Sequence, residues 1–129
     1  MGVPLDALRE AGWPGERILP KAAKNRVYVV LKGHRTVIAT PEGRVYINPT
    51  GNPGMSTGGT GDVLTGMIAA WLAQLLDAEA ACRLAVFLHG AAGDLAEARE
   101  GQVAMIATDL LDSLGDALTT LVRGKVEES

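Results

Sequence analysis

Residues 48–66 read Asn48-Pro-Thr-Gly-Asn-Pro-Gly-Met-Ser-Thr-Gly-Gly-Thr-Gly-Asp-Val-Leu-Thr-Gly66. Turn-forming residues follow one another almost without a break from Asn48 to Gly61, which predicts a loop of fourteen residues. An ordered loop of that length in a compact domain is usually functional. A helix then opens near Val63. Val63, Leu64, Met67, Ile68, Trp71, Leu72 and Leu75 recur at the 3.6-residue period of one buried face. Gly66, Ala69, Ala70 and Ala73 leave room for close packing around it.

Thr57-Gly-Gly-Thr-Gly-Asp62 sits where the loop becomes helix. First-turn N–H groups have no partner inside a helix, and the macrodipole places partial positive charge there. Glycines let the backbone approach an anion and adopt conformations closed to other residues. The segment is therefore a candidate site for phosphate, or for an oxyanion developing during phosphoryl transfer. Asp62, in the same turn, is placed to take a proton from an attacking hydroxyl. The plainer role for such an aspartate is to complement the helix dipole, but the packed glycines and the long loop favour chemistry. No Gly-Lys-Ser/Thr follows, so this is not a Walker A loop, and the G-x-G-x-x-G dinucleotide spacing is absent.

Upstream, Val27–Leu31 is an apolar, β-branched run that predicts a buried strand, central and parallel. Thr36–Ala39 and Val45–Ile47 predict two more strands, joined through Pro41-Glu-Gly43 as a hairpin or small meander. Residues 3–25 hold short helix-like pieces broken at Gly12, Pro14, Gly15 and Pro20. Downstream, Asp77 is placed to cap a helix running towards Arg99, with Ala81, Leu84, Ala85, Leu88, Ala91, Ala92 and Leu95 as its apolar stripe. Thr108 with Asp109 opens a last helix, its buried face drawn from Leu110, Leu111, Leu114, Leu118 and Leu121. Three apolar-faced helices and few strands predict an α/β layered fold that is a fragment of a larger domain, or that assembles with another copy.

Bulk properties bound the rest. The chain has 129 residues, enough for one core and read as a single domain. Its 12 basic and 15 acidic residues are mixed, without the basic block a nucleic-acid partner would call for. The lone cysteine, Cys82, lies in an Ala-rich helical pattern and reads as a small buried hydrophobe. Two histidines and one cysteine make a zinc site improbable. No stretch has the pattern of a signal peptide or a membrane span, so a soluble cytoplasmic protein is expected.

The Asn48–Gly66 stretch resembles the signature segment of the ADP/ATP-dependent NAD(P)H-hydrate dehydratases, of the ribokinase-like superfamily. Val29-Val-Leu-Lys-Gly33 followed by Thr36-Val-Ile38 is similar to that family's strand and nucleotide loop. His89-Gly-Ala-Ala-Gly-Asp94 resembles a segment of its later helix. Similarity runs from Val27 to Leu118, and weakly back to Leu5. The resemblance implies a partial ribokinase-like fold, the C-terminal half of such a domain. It also implies repair of hydrated NADH or NADPH with consumption of ADP or ATP, magnesium accompanying the nucleotide.

By motif match Asp62 would be the catalytic base and contact the hydrated cofactor. Gly59, Thr60 and Gly61 would form the anion turn. Lys32, Gly33, His34, Arg35 and Thr36 would line the adenine nucleotide. Asn52 either bonds its own turn or joins Asp62 as a substrate contact. His89 is read as a packing histidine and Trp71 as core. A ribokinase-like kinase of a small alcohol, or a non-catalytic nucleotide-binding and oligomer-forming module, would account for the same residues. A homo-oligomer, or association with the missing N-terminal half, is expected from the apolar faces left over.

Overall fold

The computed structural model describes residues 18–33, 35–74 and 77–128. The broken pieces expected before Ile18 lie outside them, as do His34 and Leu75. Helix α1 spans Ile18–Asn25 and carries Pro20 in its first turn, where an absent N–H breaks no helical bond. Strands β1 (Val29–Leu31), β2 (Val37–Ala39) and β3 (Val45–Ile47) follow. They form one antiparallel sheet in the order β1-β2-β3, with Ile38 opposite both Val30 and Tyr46.

The meander is as expected, whereas β1 is not the central parallel strand. Among the described residues it pairs antiparallel with β2 alone, and it is only partly buried. The central strand is β2, whose three residues are all buried. A short apolar run reads alike at the core and at an edge, because periodicity carries no information about the number of neighbours.

Side chains on a strand alternate between faces, and each face of this sheet is covered. Val37, Ala39 and Val45 pack on Leu19 and Ala22 of α1. Ile38 points the other way, into a cluster with Leu64, Cys82, Ala85 and Val86 from the following helices. Those helices are α2 (Thr60–Ala73) and α3 (Ala78–Glu100), the second capped by Asp77, whose Oδ1 accepts from the Ala80 amide at 2.8 Å. Burial pushes the Cys82 thiol above its usual range, in keeping with a packing role.

Helix α4 (Ala107–Glu128) lies along α3 and completes a third cluster of Met55, Leu88, Ala92, Ala96, Met105, Leu110 and Ala117. Its start is fixed by Asp109, which accepts from the Ile106 amide at 2.8 Å. The buried face of α4 differs from the expected one: Leu111 and Leu118 are exposed, while Ser113 and Ala117 are buried beside Leu110. Ser113 can be buried because its hydroxyl meets Arg99 and the Asp109 carbonyl. Leu110, Leu114 and Leu121 pack into this cluster as expected, so the stripe combines three of the leucines with the small residues Ser113 and Ala117. Trp71 packs against both helical clusters, as a core residue should. Among the described residues no helix is long and apolar enough to cross a membrane.

Candidate functional site

The loop between β3 and α2 contains a short 3-10 helix, Pro53–Ser56, so less of it is irregular than its composition suggests. Asn52 caps that turn, its Oδ1 accepting from the Gly54 amide at 2.9 Å. Its Nδ2 lies 3.0 Å from both the Gly93 carbonyl and Asp94 Oδ1. Asn52 is buried, and the protein itself uses its whole amide. Of its two readings, the structure supplies the bond to its own turn.

The chain then reverses through Gly59, at φ +92°, a conformation in which a side chain would be strained. Gly59 is the N-cap of α2 and offers no side-chain cap to the first turn. The Thr60 amide reaches the Thr57 carbonyl and the Val63 amide reaches the Gly59 carbonyl. Among the described residues no acceptor takes the amides of Gly61 and Asp62 between them. Asp62 is exposed in this first turn. The turn thus carries two N–H groups without an acceptor among the described residues, at the positive end of a helix and with a carboxylate beside them.

Thr60 is buried and anchors the turn from below, its Oγ1 2.6 Å from the Met55 carbonyl and 3.0 Å from the Thr57 carbonyl. Lys32 comes from the end of β1 to the same place. Its Nζ donates to the Met55 carbonyl at 3.0 Å, and a Cβ added to Gly61 would lie 3.6 Å from Lys32 Cδ. Burial lowers the pKa of this ammonium, so an anion arriving at the turn would meet an under-solvated cation. Gly33 and Thr36 close the turn that follows, with Thr36 Oγ1 3.4 Å from the Gly33 amide and 3.3 Å from its carbonyl. Arg35 is exposed on that turn. His34, expected beside it, lies outside the described residues.

Helix α3 backs the whole loop, a role that no side-chain pattern in the sequence assigns to it. Asn48 Nδ2 donates to the Val86 carbonyl at 3.1 Å, and Thr50 Oγ1 to the Phe87 carbonyl at 2.9 Å. Asp94 Oδ2 accepts from the Gly51 amide at 3.0 Å. Any Cβ on Gly90 would overlap Thr50, lying 2.7 Å from its carbonyl carbon, and one on Gly93 would lie 2.7 Å from Met55 Cε. Two glycines inside a helix each cost about 1 kcal/mol of propensity. Their spacing on one helix face was the signal of close backbone approach. His89 is buried, with Nε2 2.7 Å from the Thr60 carbonyl. Burial, opposed by that bond and helped by the Lys32 charge, lowers its pKa.

A groove of about 430 Å³ opens beside Asp62, lined by Val63, Gly66, Met67, Ala70 and Leu111. A slightly larger hollow of about 480 Å³ lies elsewhere, between the sheet, α3 and α4, where Arg83 sits over the Tyr46 ring at 4.2 Å. It contains no residue of the glycine turn, so the chemistry, not the volume, marks the site. No group of three or more His, Cys, Asp or Glu side chains suited to a metal occurs among the described residues.

This geometry has relatives. The family model of the NAD(P)H-hydrate dehydratases matches residues 20–115. The bifunctional NAD(P)H-hydrate repair enzyme of Moorella thermoacetica is 59% identical over 93 residues, which are 72% of this chain and 18% of that enzyme. The ADP/ATP-dependent NAD(P)H-hydrate dehydratase of Bacillus subtilis, co-crystallised with ATP and Mg2+, superposes with a TM-score of 0.78 at 38% identity. That match covers 92% of this chain and 42% of that one. A ribokinase-like superfamily protein of Enterococcus faecalis gives a TM-score of 0.70 at 35% identity, over 81% of this chain and 36% of that one. The chain thus spans less than half the length of each of these proteins, and its α/β layers are part of a ribokinase-like fold. With the family model covering most of its residues and the signature loop in place, the chain belongs to the NAD(P)H-hydrate dehydratase family.

Proposed function

We propose that this chain binds ADP or ATP at the Gly59–Asp62 turn and serves in the nucleotide-dependent dehydration of hydrated NADH or NADPH. The observation that carries the reading is the convergence of Lys32, Gly61 and Asp62, the last two with amides that have no acceptor among the described residues. The fit to a nucleotide phosphate is chemical: free N–H donors, a partly desolvated ammonium and a glycine backbone that admits close approach. The names of the relatives, one of them co-crystallised with ATP and Mg2+, support the same assignment.

In this reading the amides of Gly61 and Asp62 and the Lys32 ammonium hold phosphate oxygens. The Gly33–Thr36 turn, including His34 and Arg35, lines the rest of the nucleotide. Magnesium arrives on the phosphates rather than in a protein cage, in line with how that ion is usually held. The nucleotide supplies the phosphoryl group that makes the ring hydroxyl of the hydrated cofactor a leaving group. Asp62 takes the hydroxyl proton as that oxygen attacks phosphorus, and elimination releases inorganic phosphate. With ADP the products are AMP, phosphate and the reduced cofactor. Gly59 and Thr60 keep the turn in shape, and Asn52 acts on the substrate side by holding the loop that leads to it.

The apolar faces of the chain suit association with a second copy or with an N-terminal half. Leu72, Leu111, Leu118 and Val122 are exposed on α2 and α4, as are Val27 just before the edge strand and Leu31 at its end. Titration calorimetry with ADP and ATP in magnesium tests nucleotide binding. Gel filtration gives the assembly, and recovery of reduced-cofactor absorbance with phosphate release tests turnover. Saturable binding supports the assignment. A well-folded chain that binds neither nucleotide refutes it, and a stable phosphoester product would make the chain a kinase.

A further inference from the structure

His89, Gly90, Gly93 and Asp94 form one face of α3, and nothing in the proposed reaction uses them. All four press on the loop that ends in the glycine turn. Gly90 and Gly93 admit Thr50 and Met55, Asp94 ties Gly51 and Asn52, and His89 reaches Thr60, the first residue of α2. His89 is the contact nearest the chemistry, one residue from Gly61 and two from Asp62.

We propose that His89 is a positioning residue for the anion turn: its Nε2–H donates to the Thr60 carbonyl and so sets the direction of the Gly61 amide, which lies next to that of Asp62. This rests on the phosphate-binding reading of that turn. The donor assignment follows from the partner. A carbonyl oxygen only accepts, so Nε2 must carry the proton. The consequence for the turn is geometric. The Thr60 carbonyl belongs to the peptide unit whose other end is the Gly61 N–H, and that unit is planar. Fixing the oxygen therefore fixes the direction of the Gly61 N–H on the opposite side, outwards, towards an anion. The Thr60 side chain is held independently by the Met55 and Thr57 carbonyls. The peptide is thus held from two sides, with His89 adding a second donor to a carbonyl that the first helical turn of α2 also engages.

An imidazole used only to fill space would tolerate any isosteric apolar residue. A positioning donor needs an N–H at the Nε2 place, which a glutamine amide can reach and a leucine cannot. The full chain is compared with His89→Leu and His89→Gln. Calorimetry with ADP and magnesium gives affinity, hydrogen exchange across Thr60–Leu64 reports the turn without ligand, and the melting temperature reports packing. His89→Leu is expected to weaken ADP about tenfold and to speed exchange at Gly61 and Asp62 by a similar factor, as loss of one buried hydrogen bond would. His89→Gln should restore both towards the parent even where its melting temperature stays lowered.

Affinity and exchange that follow melting temperature alike in both variants would overturn the proposal, leaving a packing histidine. So would a His89→Leu chain whose turn exchanges like the parent's. If the parent itself binds no ADP, the phosphate reading fails, and the exchange comparison still decides whether His89 directs the turn.

Discussion

Lys32 and Met55, from the end of the edge strand and from the signature loop, are joined by a 3.0 Å hydrogen bond from the ammonium to the backbone carbonyl. The bond carries the charge of one segment onto the turn formed by the other. Replacing Lys32 with methionine keeps the stem and removes the charge. Calorimetry should then show ADP binding weaker by about 1.5–3 kcal/mol, the scale of a hydrogen bond to a charged group. Unchanged affinity would return Lys32 to the status of a solvated strand-end charge.

Asp62→Asn separates binding from chemistry. Asp62 is exposed and makes no side-chain bond among the described residues, so asparagine there should leave the fold intact and cost only the helix-dipole interaction, up to about 1 kcal/mol. ADP affinity should hold or improve slightly, since a negative charge beside the phosphates is removed. Turnover of hydrated NADH, wherever the parent shows it, should fall by about 10²–10⁴, the range for loss of a general base. Turnover that survives the change would assign proton removal elsewhere.

Acid should destabilise the fold through His89. Its pKa in the folded state lies below the ordinary value, chiefly from burial, with Lys32 adding to the effect and the Thr60 bond opposing it. The unfolded chain therefore binds the proton more readily, and stability rises with pH across the window between the two pKa values. The neutral imidazole's contribution is complete above the unfolded value of about 6.5 and is lost as pH falls through the folded one. Melting curves from pH 8 down to pH 5 on parent and His89→Gln check this. The difference between them should change over that interval, and parallel curves would count against it.

Glycine substitutions should divide by location. Gly90→Ala drives a methyl into Thr50 and is expected to cost about 1–3 kcal/mol, the usual penalty for overpacking. Gly115→Ala, on the exposed side of α4 with open space at its Cβ, should stabilise by up to about 1 kcal/mol through helix propensity alone. Denaturant melts of both variants test the pair. A neutral Gly90→Ala would mean that the loop yields where the structure shows contact.

Much of this was legible beforehand, because the signals were local. The Gly59 turn, the Asp77 cap and the three short strands each depend on residues within a few positions of one another. What failed to read was non-local. Val27–Leu31 carries no mark of having a single neighbour, so it passed for a central strand. Leu111 and Leu118 look as buried as Leu110, yet only Leu110, Leu114 and Leu121 join Ser113 and Ala117 on the inner side of α4, a choice made by the partner helix. The site divided in the same way. Gly59 to Asp62 announce themselves, whereas the bond from Lys32 to Met55 and the hold of Asp94 on Gly51 span 23 and 43 residues. Composition has no access to such distances.

The grip of α3 on the loop also sets the unit in which this site can be exchanged between proteins. Residues 48–62 carry the glycine turn, but their shape is cast against Val86, Gly90, Gly93 and Asp94. A chimera that swaps the loop alone would set it on a surface cut for another sequence. One that moves 48–94 as a block would carry mould and casting together.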